Sequence, residues 1–303
     1  MAKRTLGLLG VPSSAGAHWP GQDKAPAAMR AASLVAELRT LGIEIEDYGD
    51  LPPSRMVPDR RRPQNLDKVV GVAEAVAERA HRILQAGHIP LVLGGDCTIE
   101  LGVLSGFLAF GQDPGLMYVD GGVDLYTPVD NPTGVLDSMG IAHMLGEPGT
   151  SNALSYIGPR YPLMEPSAIV LFGHGPEPQD GSLARVLATK QTMTSFSAAT
   201  IRGAATERAR QALAVLEARR KPFAVHFDVD VIDFVDAPLA DVPLINDGIS
   251  FNEAFAALSV FAASPLFQSL TITELNPDHG AEDGSTVRRF VEALAEALAE
   301  GGV

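Results

Sequence analysis

Three short acidic motifs carry most of the chemistry this sequence could perform. They are Gly94-Gly95-Asp96-Cys97, Asp120-Gly121-Gly122-Val123-Asp124 ahead of Thr127-Pro128, and Asp228-Val229-Asp230 followed by Asp233. Side chains alternate along a strand, so Asp228 and Asp230 at the end of an apolar run project from one face. Neighbouring carboxylates repel, and the remedies are protonation of one acid, a basic partner or a bound cation. None of the three motifs contains Lys or Arg, so a metal is the reading that fits best. Carboxylates are hard ligands suited to Mn²⁺, Mg²⁺ or Ca²⁺, whereas a Cys97 thiolate would shift preference towards Zn²⁺ or Fe²⁺. Bridging carboxylates would allow a pair of ions about 3.5–4 Å apart. A single acidic pair has an ordinary alternative as a turn or cap residue; three such groups at strand ends are harder to explain that way.

Each motif directly follows a short apolar run, and such runs occur at residues 5–11, 91–93, 116–119, 168–172, 223–227 and 270–273. They are too short for ordinary helices and read as buried strands. Between them lie stretches of helical composition at 26–41, 66–86, 99–110, 198–219, 252–263 and 286–299. Strands that alternate with helices imply parallel pairing, because a parallel crossover needs a dozen or more residues. The expected fold is therefore α/β, a three-layer α/β/α sandwich around a central parallel sheet, with residues 1–303 forming one domain. In open sheets of this kind ligands bind beyond the carboxyl ends of the strands, which is where the motifs stand. Loops over the pocket are expected at 127–134 and 173–181, both rich in Gly and Pro. Asn65 marks a helix start at Leu66, and Ser250 with Glu253 makes a capping box.

The 303 residues are 46% apolar, enough for a large core, and carry a formal net charge of −14. That charge argues against nucleic acid or an anionic membrane as partner, since both need a basic footprint. The basic run Arg60-Arg61-Arg62 reads as a solvated loop. A cationic or zwitterionic small molecule is the expected partner. A single cysteine permits no internal disulfide, which makes a cytoplasmic location the expectation. The apolar stretch after Lys3 and Arg4 is interrupted by Pro12 too soon for a signal peptide, and no run of 18 apolar residues suggests a membrane span.

The same motifs resemble those of the arginase, agmatinase and formiminoglutamase (ureohydrolase) family. The family pattern has Gly-Gly-Asp-His, then Asp-x-His-x-Asp before Thr-Pro, then Ser-x-Asp-x-Asp, and a late glutamate. These correspond to Gly94 through Cys97, Asp120 through Asp124, His226 through Asp230, and Glu274 in Thr273-Glu274-Leu275-Asn276-Pro277. Gly10-Val11-Pro12, Gly21 and Pro26 are similar to the family's opening strand and loop. The resemblance implies the arginase-like fold and a homo-oligomer. It also implies that Asp120, Asp124, Asp228 and Asp230 ligate Mn²⁺, with Asp124 and Asp228 bridging and Glu274 meeting a guanidinium or amidine. In the family, two Mn²⁺ ions activate a water that attacks the guanidinium carbon.

Two positions depart from the pattern at the ligands themselves: Cys97 and Gly122 stand where the family has histidines. A glycine cannot ligate through a side chain, whereas Cys97 is expected to be an auxiliary ligand. A third departure is Thr133-Gly134-Val135-Leu136-Asp137, where the family has Ser-Gly-Asn-x-His. Four histidines could compensate: His143, His174, His226 and His279. Of these His143 and His174 are the better placed, and His143 is taken as a catalytic candidate with Glu274 and Asp124. His226 precedes Asp228 with strand spacing and could share its face.

The expected function is metal-dependent hydrolysis of a non-peptide C–N bond in a guanidino, amidino or related small molecule. One or two ions are expected, Mn²⁺ by resemblance or Zn²⁺ or Fe²⁺ through Cys97. The alternative is a non-catalytic member that binds a small molecule or partner protein through an altered metal site.

Overall fold

A computed structural model describes residues 4–176, 182–189, 193–242 and 244–303. Eight strands form one sheet: β1 (Thr5–Gly10), β2 (Glu44–Asp50), β3 (Ile89–Leu93), β4 (Gly115–Val119), β5 (Ile169–Phe172), β6 (Thr194–Phe196), β7 (Phe223–Asp228) and β8 (Phe267–Thr273). Their order is β2-β1-β3-β8-β7-β4-β5-β6, and every pairing is parallel. The four central strands β3, β8, β7 and β4 are those that end in Cys97, Glu274, the Asp228 pair and the Asp120 pair. Adjacent strands thus deliver the candidate residues to one edge of the sheet.

Alternation along the strands sorts side chains between two layers. Met117, Val119, Val225, Phe227, Leu270 and Ile272 join a core with the helices Ala205–Glu217, Phe251–Ala262 and Ser285–Glu300. Leu116, Tyr118 and Ala224 face the other way, towards the layer that contains Ile99–Ala109 and Gly140–Leu145. This is the three-layer α/β/α sandwich expected from the strand and helix alternation.

The helix Ile99–Ala109 decides where Cys97 can lie. It is buried on nearly every side, because it is packed between the sheet and the helix Leu66–Gln85. Gly102 and Gly106 permit that approach: a Cβ on them would come within 2.4 Å of the Ala73 carbonyl oxygen and 2.8 Å of the Ala77 carbonyl oxygen. Gly95 is equally confined, since a Cβ there would sit 2.0 Å from the Ser13 carbonyl oxygen. Neither Gly94 nor Gly95 has positive φ, so these glycines serve close backbone approach rather than a left-handed turn.

Several local expectations change. Strands β2 and β6 are additional, and both are sheet edges. The helix expected at 26–41 is two, Ala25–Ala31 and Leu34–Thr40, because Ser33 adopts φ 68°. The one expected at 198–219 likewise divides around Gly203, at φ 75°. Helix Leu66–Gln85 does begin after Asn65, but that residue gives its N-cap no side-chain bond; it bonds instead to both backbone groups of Val57. The Ser250–Glu253 capping box forms as expected. Arg61 lies on the surface and pairs with Asp59 and Asp67.

Candidate functional site

Beyond the carboxyl ends of the central strands lies a cavity of 360 Å³. Cys97, Asp120, Asp124, Asp228, Asp230 and Glu274 all line it, joined by Asp137, His18, Tyr126 and Asn131. No Lys or Arg among the described residues does so. Asn131 and Pro132 come from the loop expected over the pocket. In the other expected loop, residues 177–181 lie outside the described residues.

Strand β7 ends at Asp228, whose Oδ1 accepts the Asp230 backbone N–H at 2.7 Å and so caps the short turn Val229–Val231. Its other oxygen lies 2.7 Å from Cys97 Sγ, where the thiol donates to it. Cys97 Sγ is also 4.0 Å from Asp120 Oδ2 and 3.4 Å from Thr273 Oγ1. Asp230 Oδ1 accepts the Gly121 N–H at 2.8 Å, which ties the ends of β4 and β7 together. Asp124 Oδ2 accepts the Tyr118 hydroxyl hydrogen.

On the far side of Cys97, its backbone N–H donates to Asp137 Oδ1 at 2.9 Å. Donor atoms of Cys97, Asp137 and Glu274 all lie within 4.8 Å of one another. Gln22 donates to Glu274 Oε2 at 3.0 Å, while Glu274 Oε1 has no hydrogen-bond partner. Asp124 and Glu274 both occupy the left-handed region, at φ 46° and φ 59°. Backbone strain of this kind persists where surrounding contacts over-determine a side chain's direction.

So many buried acids disturb one another's protonation. Burial first, then mutual repulsion, raises Asp124, Asp228, Asp230 and Glu274 well above the usual carboxylate range. Burial and the nearby Asp96 push Asp137 up to about 8. Burial and the facing acids also hold the Cys97 thiol in its protonated form. A cation would offset all of these effects together, and the mixed carboxylate and thiol donors suit a divalent metal ion.

The four histidines separate clearly. His226 lies beneath the cavity, with Nε2 3.5 Å from Asp120 Oδ2, and thus shares the Asp228 face. His174 bonds to Ser195 Oγ and the Gly175 carbonyl. His279 contacts Asp241 at 2.8 Å.

His143 does not line the cavity. Its Nδ1 donates to the Met139 carbonyl at 2.8 Å and its Nε2 accepts the Ser151 N–H at 3.1 Å. Those contacts satisfy the neutral ring, a structural task in place of the catalytic one expected for it. Burial lowers its pKa to about 4, against roughly 6.5 in an unfolded chain. Between these values the unfolded chain binds the extra proton, so His143 stabilises the fold fully above the upper value and progressively less as pH falls towards the lower. From pH 7 to pH 5, urea unfolding should show a loss about 2 kcal/mol larger in the natural protein than in His143→Gln. Equal losses would remove His143 as the cause.

Residues not singled out from the sequence complete the surroundings. Tyr118 stands two positions before Asp120 on β4, and strand periodicity places both on one face. Glu100 follows Cys97 by three, within the first helical turn. Gln22 reaches Glu274 across 252 positions, and no local pattern announces such a contact.

A parallel sheet with an acidic pocket at its carboxyl edge defines an α/β protein of the small-molecule-binding class. Known proteins narrow that class. The arginase family model matches residues 4–299. The arginase of Brevibacillus brevis is 30% identical over 277 residues, covering 90% of this chain and 91% of its own. A crystal structure of arginase from Bacillus subtilis subsp. subtilis str. 168 superposes with a TM-score of 0.86 at 27% identity, over 98% of both chains. Formimidoylglutamase from Bacillus subtilis subsp. subtilis str. 168 shares the fold, with a TM-score of 0.74 at 19% identity over 98% of this chain and 87% of its own. This chain belongs to the arginase family, and by that membership it is a ureohydrolase-like hydrolase. No helix among the described residues is long and apolar enough to cross a membrane.

Proposed function

We propose that this protein is a metal-dependent hydrolase of a non-peptide C–N bond in a guanidino, amidino or related cationic small molecule. The observation that carries the reading is the charge of the cavity: six acids and a thiol line it, with no Lys or Arg among the described residues. Such a pocket needs positive charge from outside the chain, part from metal and part from substrate.

Cys97, Asp120, Asp124, Asp228 and Asp230 would hold the metal, as Mn²⁺ or as the Zn²⁺ or Fe²⁺ that a thiolate favours. When bound, a divalent ion lowers the pKa of a coordinated water and supplies a nucleophile at neutral pH. Glu274, steadied by Gln22, would accept hydrogen bonds from the cationic nitrogens of the substrate, a charge-assisted contact. Asp137 lies beside Glu274 in the cavity, where its carboxylate would take a proton from the attacking water and return it to the departing nitrogen. The Tyr118 hydroxyl would keep Asp124 from rotating. A cytoplasmic location and a homo-oligomeric assembly belong to the same proposal.

Metal analysis of the purified protein, paired with a urea and ammonia release screen over guanidino and amidino compounds, tests the reading. Release of one of these products that depends on added metal is expected. A metal-loaded protein that releases neither from any of them would favour the non-catalytic binding alternative. The observation on that side is that Gly122 offers no ligand where the family pattern has histidine.

A further inference from the structure

Two buried titratable groups lie under the cavity floor. Glu100 and His226 are each 0% exposed. Both carboxylate oxygens of Glu100 and the Nδ1 of His226 lack hydrogen-bond partners, although Nδ1 lies only 3.8 Å from Glu100 Oε2. Unsatisfied buried polar groups are costly, and here two of them face each other behind an acidic site.

The opposite edge of the imidazole is directed at that site. His226 Nε2, Cys97 Sγ and one oxygen each of Asp120 and Asp228 all lie within 4.8 Å of one another. The ring cannot swing away, being stacked on Tyr118 at 4.2 Å between centroids and 4° between planes. Tyr118 and His226 are also register partners on β4 and β7. An imidazole that binds metal through one nitrogen characteristically gives its other N–H to a carboxylate, which fixes tautomer and orientation. Glu100 stands where that carboxylate belongs.

We propose that one divalent ion of the Zn²⁺ or Fe²⁺ type is held by Cys97 Sγ, Asp120, Asp228 and His226 Nε2, with Glu100 accepting the His226 Nδ1 hydrogen. The inference rests on the metal-dependent reading of the cavity and deepens it. Nitrogen ligation comes from a histidine beneath the site, whereas positions 97 and 122 no longer supply it. The set of one sulfur, one nitrogen and two oxygens suits a borderline ion better than Mn²⁺. Binding breaks the Cys97 S–H bond and the Nε2–H bond of the His226 imidazolium, forms a sulfur–metal and a nitrogen–metal bond and releases both protons to solvent. These bonds replace the hydrogen bond now made to Asp228 and the contacts of Nε2 with Thr273 Oγ1 and Asp120 Oδ2.

The test uses the full chain, stripped with chelator and titrated with Co²⁺. One ion per chain is expected, with a thiolate-to-metal absorption band that disappears in Cys97→Ser. His226→Gln should weaken Co²⁺ binding at least about tenfold, and Glu100→Gln about tenfold. Melting curves of the metal-free variants establish that each folds. X-ray absorption at the zinc edge of the natural chain needs no buried substitution: one sulfur neighbour and imidazole scattering are expected, the latter persisting in His18→Ala. Absent sulfur or imidazole scattering, two ions per chain, no bound ion, or unchanged affinity in His226→Gln would each overturn the site. One ion held in this way by a protein that hydrolyses none of the screened compounds would support the site while overturning the hydrolase reading.

Discussion

Replacing Asp228 with asparagine is expected to lower hydrolysis by roughly a thousandfold while making the metal-free protein more heat-stable. Both effects come from one position. Asp228 faces Cys97 at 2.7 Å through one oxygen and caps the following turn through the other. Asparagine keeps the cap and can donate from its amide to the acids around it, but it no longer supplies an anionic ligand. Removing an acid that burial forces to take up a proton on folding should stabilise the metal-free fold at neutral pH by about 2 kcal/mol, a rise of roughly 4 °C for a chain of this size. The expected signature is opposite movement in turnover and melting temperature, read by product release and by calorimetry in chelator. An unchanged or lower melting temperature would show that the acids are not in conflict when no cation is present.

Restoring two histidines should have the second largest effect. A side chain at Gly122 would start 3.2 Å from both Asp120 Oδ1 and Asp124 Oδ1, so its first atom already lies between two carboxylates. Position 122 is also free of the positive φ that would strain a larger residue. Cys97→His combined with Gly122→His is therefore expected to tighten Mn²⁺ binding by at least about 100-fold. The free-ion signal in electron paramagnetic resonance measures this directly, and Gly122→His alone separates the two contributions. Mn²⁺ affinity that does not move would mean that the carboxylates have shifted beyond reach of that ion.

Much of this arrangement was legible in the chain because strand chemistry is local. Runs of Leu, Ile, Val and Phe that end in Gly or Asp identify the central strands and the side on which their acids emerge. The edge strands escaped because edges are built differently: β2 reads Glu-Ile-Glu-Asp-Tyr-Gly-Asp, which is mostly exposed, and β6 has only three residues. Charge along an edge discourages pairing with other strands, and it also hides the strand from a search for apolar runs. Helix breaks at Ser33 and Gly203 were missed because each needs a left-handed residue that helical composition does not announce.

The site divides in the same way. Cys97, Asp120, Asp124, Asp228, Asp230 and Glu274 were found as strand-end residues, and the structure gathers them at one cavity. For His143, place in the chain carries no information about where the ring points. Burial against Met139 and Ser151 uses both of its nitrogens. From the chain alone Glu100 is an ordinary acid in a first helical turn. Only the packing of its helix shows that it is sealed from water.

That packing also bears on how the protein can vary. The seam at Gly102 and Gly106 lies on the helix that carries Glu100 and directly follows Cys97. Added bulk on either side of the seam would lever this helix as a rigid rod and carry the thiol with it. Val76 and Ala80, whose side chains face Gly102 and Gly106 and meet no ligand, therefore act as spacers that calibrate the floor of the cavity. Drift in their size during divergence would retune the site from behind, with every acid in the cavity wall left unchanged.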